Sequence, residues 1–249
     1  MTEPKKRRLQ RPLRFVRNRF SPQGYLGLHL TIGVLIILFS AWCFSEIAED
    51  LEPSAGLIAF DEQVIAWFQG EAQPALTVAA RAISFLGSVG FLTVASLLGG
   101  AVLIRIHGWN RLLALSLTMI GGGLLNVVLK HFFQRDRPVL ENPLVTLTSF
   151  GFPSGHTMGS TIFYGLIALI IGQRLAQKRW RIAVAFAACL VIAAIGLTRI
   201  YLGAHYLSDV LAAVAAGVVW LTFCWTAIEI FRRRRRDEEL EPASPPQSR

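Results

Sequence analysis

Long apolar runs alternate with short polar breaks along most of this chain. Six of the runs, over about 25–44, 83–104, 112–129, 153–172, 182–197 and 206–231, come near or exceed the roughly 20 residues that a helix rising about 1.5 Å per residue needs to cross a bilayer's hydrocarbon. Backbone polar groups in hydrocarbon must be satisfied within the segment, and a helix does that. The pattern therefore predicts an all-α, polytopic membrane protein with six transmembrane helices. One stretch breaks the rhythm. Between the first two runs, over about 45–81, Leu57, Phe60, Val64, Ile65 and Phe68 fall at helical spacing with Asp61 and Glu62 on another face, which predicts a helix lying in the membrane interface. Such a helix either packs over the spans or gates what lies beneath it. Gly121-Gly122-Gly123 in the third span marks a close approach between helices.

Hydrophobic residues make up 53% of the 249 and charged residues 16%, which excludes an ordinary soluble domain. A formal charge of +9 would suit a nucleic-acid partner if it formed a patch. Instead, 20 of the 25 Lys and Arg fall in the tails or in the turns after the second and fourth runs, the distribution that sets orientation in a membrane. Both termini are thereby expected in the cytoplasm. Residues 1–24 form a basic tail, 25–231 the membrane domain, and 232–249 a tail that is basic and then disordered around Pro242, Pro245 and Pro246. The segment 45–81 sets Glu46, Glu49, Asp50, Glu52, Asp61, Glu62 and Glu71 against Arg81 alone, and belongs outside. A cleaved signal peptide would have a shorter core and an Ala-x-Ala exit, so the first run reads as a retained span of a multi-pass cytoplasmic (inner) membrane protein. Cys43, Cys189 and Cys224 lie singly in apolar runs and read as small buried hydrophobes.

The polar residues that do not fit a lipid-facing role gather in three clusters: Lys130 to Pro138, Pro153-Ser154-Gly155-His156, and Thr198 to Asp209. With six spans, all three meet at the outward-facing ends of spans three to six. Cations are costly there unless they neutralise something. Lys130, Arg137 and Arg199 suit a phosphate, the arginines through planar forks that match its oxygens in pairs. Ser154 and Gly155 open the fourth span, where free N–H groups and the helix dipole favour an anion, and Pro153 suits the first turn. His205 and Asp209 are one helical turn apart, so the carboxylate can hold the imidazole as a nucleophile toward phosphorus. His156 is then the acid that protonates the leaving group and the base that activates water. A metal held by His156, His205 and Asp209 competes in chemical type, but three nearby cations make a divalent ion unwelcome. His29, His107 and His131 have no such partners and read as surface residues; Arg135 and Asp136 line the entrance or a solvated loop.

Lys-x6-Arg-Pro, Pro-Ser-Gly-His and Arg-x5-His-x3-Asp, in that order from Lys130 to Asp209, resemble the type 2 phosphatidic acid phosphatase (PAP2) superfamily, membrane lipid phosphatases whose site is shared with vanadium haloperoxidases. Asn126, Phe133, Arg135 and Tyr201-Leu202-Gly203 are similar to its bacterial members. The resemblance implies phosphate binding by Lys130, Arg137, Ser154, Gly155 and Arg199, acid–base work by His156, a nucleophilic His205 partnered by Asp209, and no metal or other cofactor. Thr198 stands where the family usually has Ser, and keeps the hydroxyl. The expected partner is a lipid phosphate in the membrane, undecaprenyl diphosphate first, with phosphatidylglycerol phosphate, phosphatidic acid and lipid A phosphates as rivals. Phosphotransfer to another hydroxyl, or phospholipid binding or transport without chemistry, are the competing functions. No internal repeat or pair of broken helices in the sequence favours a transporter.

Overall fold

A computed structural model describes residues 25–51, 56–107, 109–140, 144–145 and 147–240. The chain forms eight helices among them and no strand: α1 (Tyr25–Glu49), α2 (Gly56–Gly70), α3 (Pro74–Phe85), α4 (Val89–His107), α5 (Trp109–Phe133), α6 (Gly155–Arg174), α7 (Lys178–Tyr201) and α8 (Leu207–Leu240). Five are long and apolar enough to cross a membrane, through Leu30–Glu49, Leu112–Phe133, Gly155–Arg174, Lys178–Tyr201 and Leu207–Arg232. Helices α3 and α4 pass the same test only together, with a bend of 44° between them, and counted as one broken span they bring the candidate crossings to six. Leu35, Phe39, Leu117, Val128, Phe186 and other large apolar side chains point outward, as lipid-facing helices require.

Two expectations change here. Most of 45–81 is helical, since α1 continues to Glu49 and Pro74 opens α3 from its first turn, where a missing N–H costs nothing. At the other end α8 carries the basic run 232–236 on to Leu240, because Arg, Glu and Leu are good helix formers. The N-terminal basic tail and residues 241–249 lie outside the described residues.

The bend between α3 and α4 has a local cause. After Phe85 the chain tightens into three-residue turns, with Leu86, Gly87 and Ser88 donating to Ile83, Ser84 and Phe85, and Ser88 Oγ then accepts from Phe91 N to start α4. A Cβ on Gly87 would lie 2.7 Å from Ile195 Cγ2 and 2.8 Å from Ser160 Oγ, so only glycine lets the bend press onto α6 and α7.

Residues Leu38–Leu221 form one compact unit. Within it α7 packs along α6, α5 against α4 and α6, and α2 and α3 both rest on α7. Gly121 and Gly122 sit where any side chain would collide with Trp220 or Ile162, and Trp220 Nε1 donates to Thr118 O at 2.9 Å, so the glycine run serves packing. The core between α6 and α8 is Met158, Ile162, Ala213 and Ala216. Burying such side chains is worth about 1.5–3 kcal/mol each where large. The second unit holds residues up to Ile37 and from Thr222 on, where Gly33 leaves room for Thr226. Of the cysteines, Cys43 and Cys224 are half-buried but Cys189 is exposed, which corrects the buried reading: a lipid-facing position accepts a small apolar thiol without packing it.

Candidate active site

At one end of the spans in the first unit, helix termini and a hairpin converge. Helix α5 ends at Phe133, and the chain turns out and back so that Gly151 N donates to Arg135 O at 2.7 Å. Phe152 packs without exposure against Phe44 and Phe133, and the Phe152–Pro153 bond is cis. Helix α6 then starts at Gly155 with Ser154 as its N-cap, so Pro153 precedes the first turn rather than lying in it. A Cβ on Gly155 would lie 3.1 Å from Asn126 Oδ1 of α5. Helix α7 ends by a glycine cap: Leu202 N returns to Thr198 O and Gly203, with φ of 68°, N-bonds to Ile200 O. The reversal delivers His205 just ahead of α8, and Ser154 N donates to Asp209 O at 3.1 Å, which ties the starts of α6 and α8 together.

The three sequence clusters meet here. Arg137 is held by its own hairpin and the α7–α8 turn. Its Nε donates to Ser149 O and Nη1 to Ala204 O, both at 2.6 Å, and Nη2 donates to Ser149 Oγ at 3.0 Å. Nη1 also lies 3.2 Å from His205 Nε2. Because a guanidinium has no acceptor, Nε2 carries the lone pair and the ring proton sits on Nδ1. Nδ1 faces Asp209 Oδ2 at 3.4 Å, a close approach without full hydrogen-bond alignment. Burial, reinforced by Arg137 and Arg199 and opposed by Asp209, pushes the His205 imidazole down to about 4, so it is neutral near pH 7. Burial also draws Arg137 below its ordinary value, with Asp209 acting the other way.

Lys130, at the last turn of α5, donates to Phe150 O and, at 3.5 Å, to Gly151 O. Arg199 is buried, and its Nη1 donates to Ser84 Oγ at 2.7 Å while its Nε has no partner among the described residues. His156, one residue inside α6, lies within electrostatic reach of Lys130, Arg137, Arg199 and His205. Ser154 is fully buried and its hydroxyl accepts from Thr157 Oγ1 at 3.1 Å. All eight candidate residues therefore share one locus. Thr198 spends its hydroxyl on Ile195 O at 2.7 Å within its own helix. His131 is exposed and bonds Val127 O, while the side chains of His29 and His107 lie outside the described residues.

Three residues enter that sequence reading did not place. Asp61 of α2, assigned to a polar outer face, is fully buried, and it accepts Ser208 N at 3.0 Å and Arg135 Nη2 at 2.9 Å. Arg135, assigned to an entrance or solvated loop, is instead clamped between Asp61 and Asp209, 2.7 Å from the latter. Ser84 of α3 buttresses Arg199. A signal for Asp61 was present, because it stands four residues from both Leu57 and Ile65, inside the apolar stripe rather than beside it. Ser84 carried none. Among the described residues no three His, Cys, Asp or Glu side chains form a group that could hold a metal ion.

Helical membrane spans that end in a cluster of cations, two imidazoles and a buried carboxylate define a polytopic membrane protein with a polar centre at the ends of its spans. The sequence profile of the PAP2 superfamily matches residues 111–233. The chain is 34% identical over 149 residues to phosphatidylglycerophosphatase B of Bacillus subtilis (strain 168), covering 59% of this chain and 72% of that protein. It is 35% identical over 109 residues to a lipid A 1-phosphatase of Rhizobium etli, covering 40% of this chain and 43% of that one. The crystal structure of a transmembrane PAP2-type phosphatidylglycerolphosphate phosphatase from Bacillus subtilis superposes with a TM-score of 0.68 at 28% identity, over 85% of this chain and 98% of that one. The chain belongs to the PAP2 superfamily, as one of its membrane lipid phosphatases.

Proposed function

We propose that His205 takes the phosphoryl group of a lipid phosphate and passes it to water. The observation that carries this reading is the His205 ring itself: neutral, proton toward Asp209, lone pair toward the cations. Nε2 attacks phosphorus as the bond to the lipid oxygen breaks, and that oxygen takes a proton from His156. Water, losing a proton to His156, then attacks the phosphohistidine. The P–N bond breaks and inorganic phosphate leaves. Lys130, Arg137 and Arg199, with the N–H groups opening α6 at Ser154 and Gly155, neutralise the charge on the transferring group. No step calls on a metal.

Phosphatidylglycerol phosphate is the first substrate to test, supported by the similarity to phosphatidylglycerophosphatase B. Undecaprenyl diphosphate is the second. It is favoured by the scarcity of cations on the site's side of the membrane, which argues for an outward-facing centre in an inner membrane. The test is phosphate release by detergent-purified protein from both lipids, with chelator present, for wild type and His205→Ala. Release that the variant loses and chelator leaves alone supports the reading. Release that survives in His205→Ala, or stops with chelator, overturns it.

A further inference from the structure

Both terminal nitrogens of Arg135 are engaged within the protein. Its Nη2 donates to Asp61 Oδ2 at 2.9 Å, its Nη1 to Asp209 Oδ1 at 2.7 Å and to Ser208 Oγ at 2.6 Å, and its guanidinium lies 4.5 Å from the centroid of the Tyr206 ring. Both carboxylates are fully buried. Asp61 reaches the same turn again through Ser208, accepting its N–H at 3.0 Å and its hydroxyl. The far oxygen of Asp209, Oδ2, accepts Tyr206 N at 2.9 Å, the reach-back of a capping box, and faces His205 Nδ1. The order in space is Asp61, Arg135, Asp209, His205, four groups of alternating character from three parts of the chain.

We propose that Asp61 and Arg135 are positioning residues of the reaction: Arg135, clamped by Asp61 from α2, holds one oxygen of Asp209 so that the other addresses His205. The proposal rests on His205 as the nucleophile. Asp209 divides its charge between Arg135 and the imidazole, and Asp61 sets the share by taking part of Arg135 for itself. A carboxylate left to His205 alone would hold the ring as a cation and blunt its lone pair; one captured wholly by Arg135 would let the ring turn. Helix α2, which also packs Ile65 on Ile200 and Val210 and bonds Tyr201 O through Gln69, is in this way joined electrostatically to the site through Asp61.

The charged and titratable groups facing His205 are Asp209 of α8, Arg137 of the hairpin, Arg199 of α7 and His156 of α6, with Lys130 of α5 acting on Asp209. Removing a cation from beside Asp209 leaves more negative charge for His205 and raises the pH at which its ring protonates. Removing Asp61's charge releases Arg135 to Asp209 and lowers it. Asp61→Asn and Arg135→Gln should therefore each cut kcat by about 10- to 100-fold with KM little changed, the size typical of lost outer partners, while shifting ring protonation in opposite directions.

The experiment uses the full chain in detergent. It combines kcat and KM for phosphatidylglycerol phosphate with nitrogen NMR titration of labelled imidazoles, His205 being assigned by the signal missing in His205→Ala. The double variant Asp61→Asn/Arg135→Gln leaves no unpaired charge from this pair and should titrate as Arg135→Gln alone, because Asp61 acts through Arg135. Opposite shifts, with the double variant following Arg135→Gln, support the proposal. Unchanged kcat and titration, or parallel losses with no shift or shifts of one sign, overturn it. The NMR reading does not need turnover, so an inactive wild type would sink the phosphatase reading while still deciding this one.

Discussion

Two arginines at the same end of the molecule have opposite environments. Arg135 is saturated, with two carboxylates, a serine hydroxyl and an aromatic face around one guanidinium. Arg199 is more deeply buried, yet its anchor is one neutral hydroxyl, Ser84, and its Nε has no partner among the described residues. A buried cation left that open is costly unless an anion visits. The difference teaches a way to sort cations in such a site: those already satisfied are expected to shape it, and those left open to bind what enters it.

The strongest way to break the comparison is to remove the group that both arginines are proposed to serve. His205→Ala should lower turnover on the order of 10⁴-fold or more, as loss of a nucleophile does, read as phosphate release; substantial residual activity would leave neither arginine a reaction to serve. Arg199→Gln should cost about 10²- to 10³-fold in kcat/KM, the range for losing one stabiliser of developing charge. Inorganic phosphate as inhibitor sharpens the contrast: its inhibition constant should weaken in Arg199→Gln and hold in Arg135→Gln.

Acidity gives a third contrast. An imidazole of ordinary pKa near 6.5 would lose about 30-fold of its neutral form by pH 5. His205, held at about 4 by burial, keeps it, since a depressed pKa means the reactive form is lost only as pH falls through that lower value. Once ionisation of the lipid phosphate and protonation of the acid His156 are divided out, kcat/KM should stay level from pH 7 to 5. A fall centred near 6.5 would show that the ring is not buried as described. Ser84→Ala is the smallest change, removing one bond to Arg199 worth about 1.5 kcal/mol, or about tenfold in phosphate inhibition.

Much of this was legible in the sequence because a membrane makes polar residues conspicuous. Lys130, Arg137, Ser154, His156, Arg199, His205 and Asp209 stand out against apolar runs, and their helix ends could be read from Gly203, Gly155 and the basic turns. One residue that escaped lay in 45–81, where charge is common and so uninformative. Asp61 was given the wrong face although its spacing from Leu57 and Ile65 put it in the stripe that packs on Ile200 and Val210. Arg135, one residue among four charges in a loop, reads the same whether solvated or clamped. Ser84 depends on a bend in the span that no proline announces. A small residue at Gly87 hinted at it, but only the packing of α6 and α7 shows why it is there.

The bond from Ser154 N to Asp209 O bears on the lipid environment. Bilayers differ in thickness, and apolar spans answer by tilting. Because α6 and α8 are pinned to each other at the residues that open them, tilt accumulates toward their far ends while the separation of His156 and His205 stays close to its set value. The spacing that the proposed mechanism needs is thus expected to be insulated from membrane composition by one peptide group, and a series of host lipids of increasing chain length should change how the helices lean before it changes how fast phosphate is released.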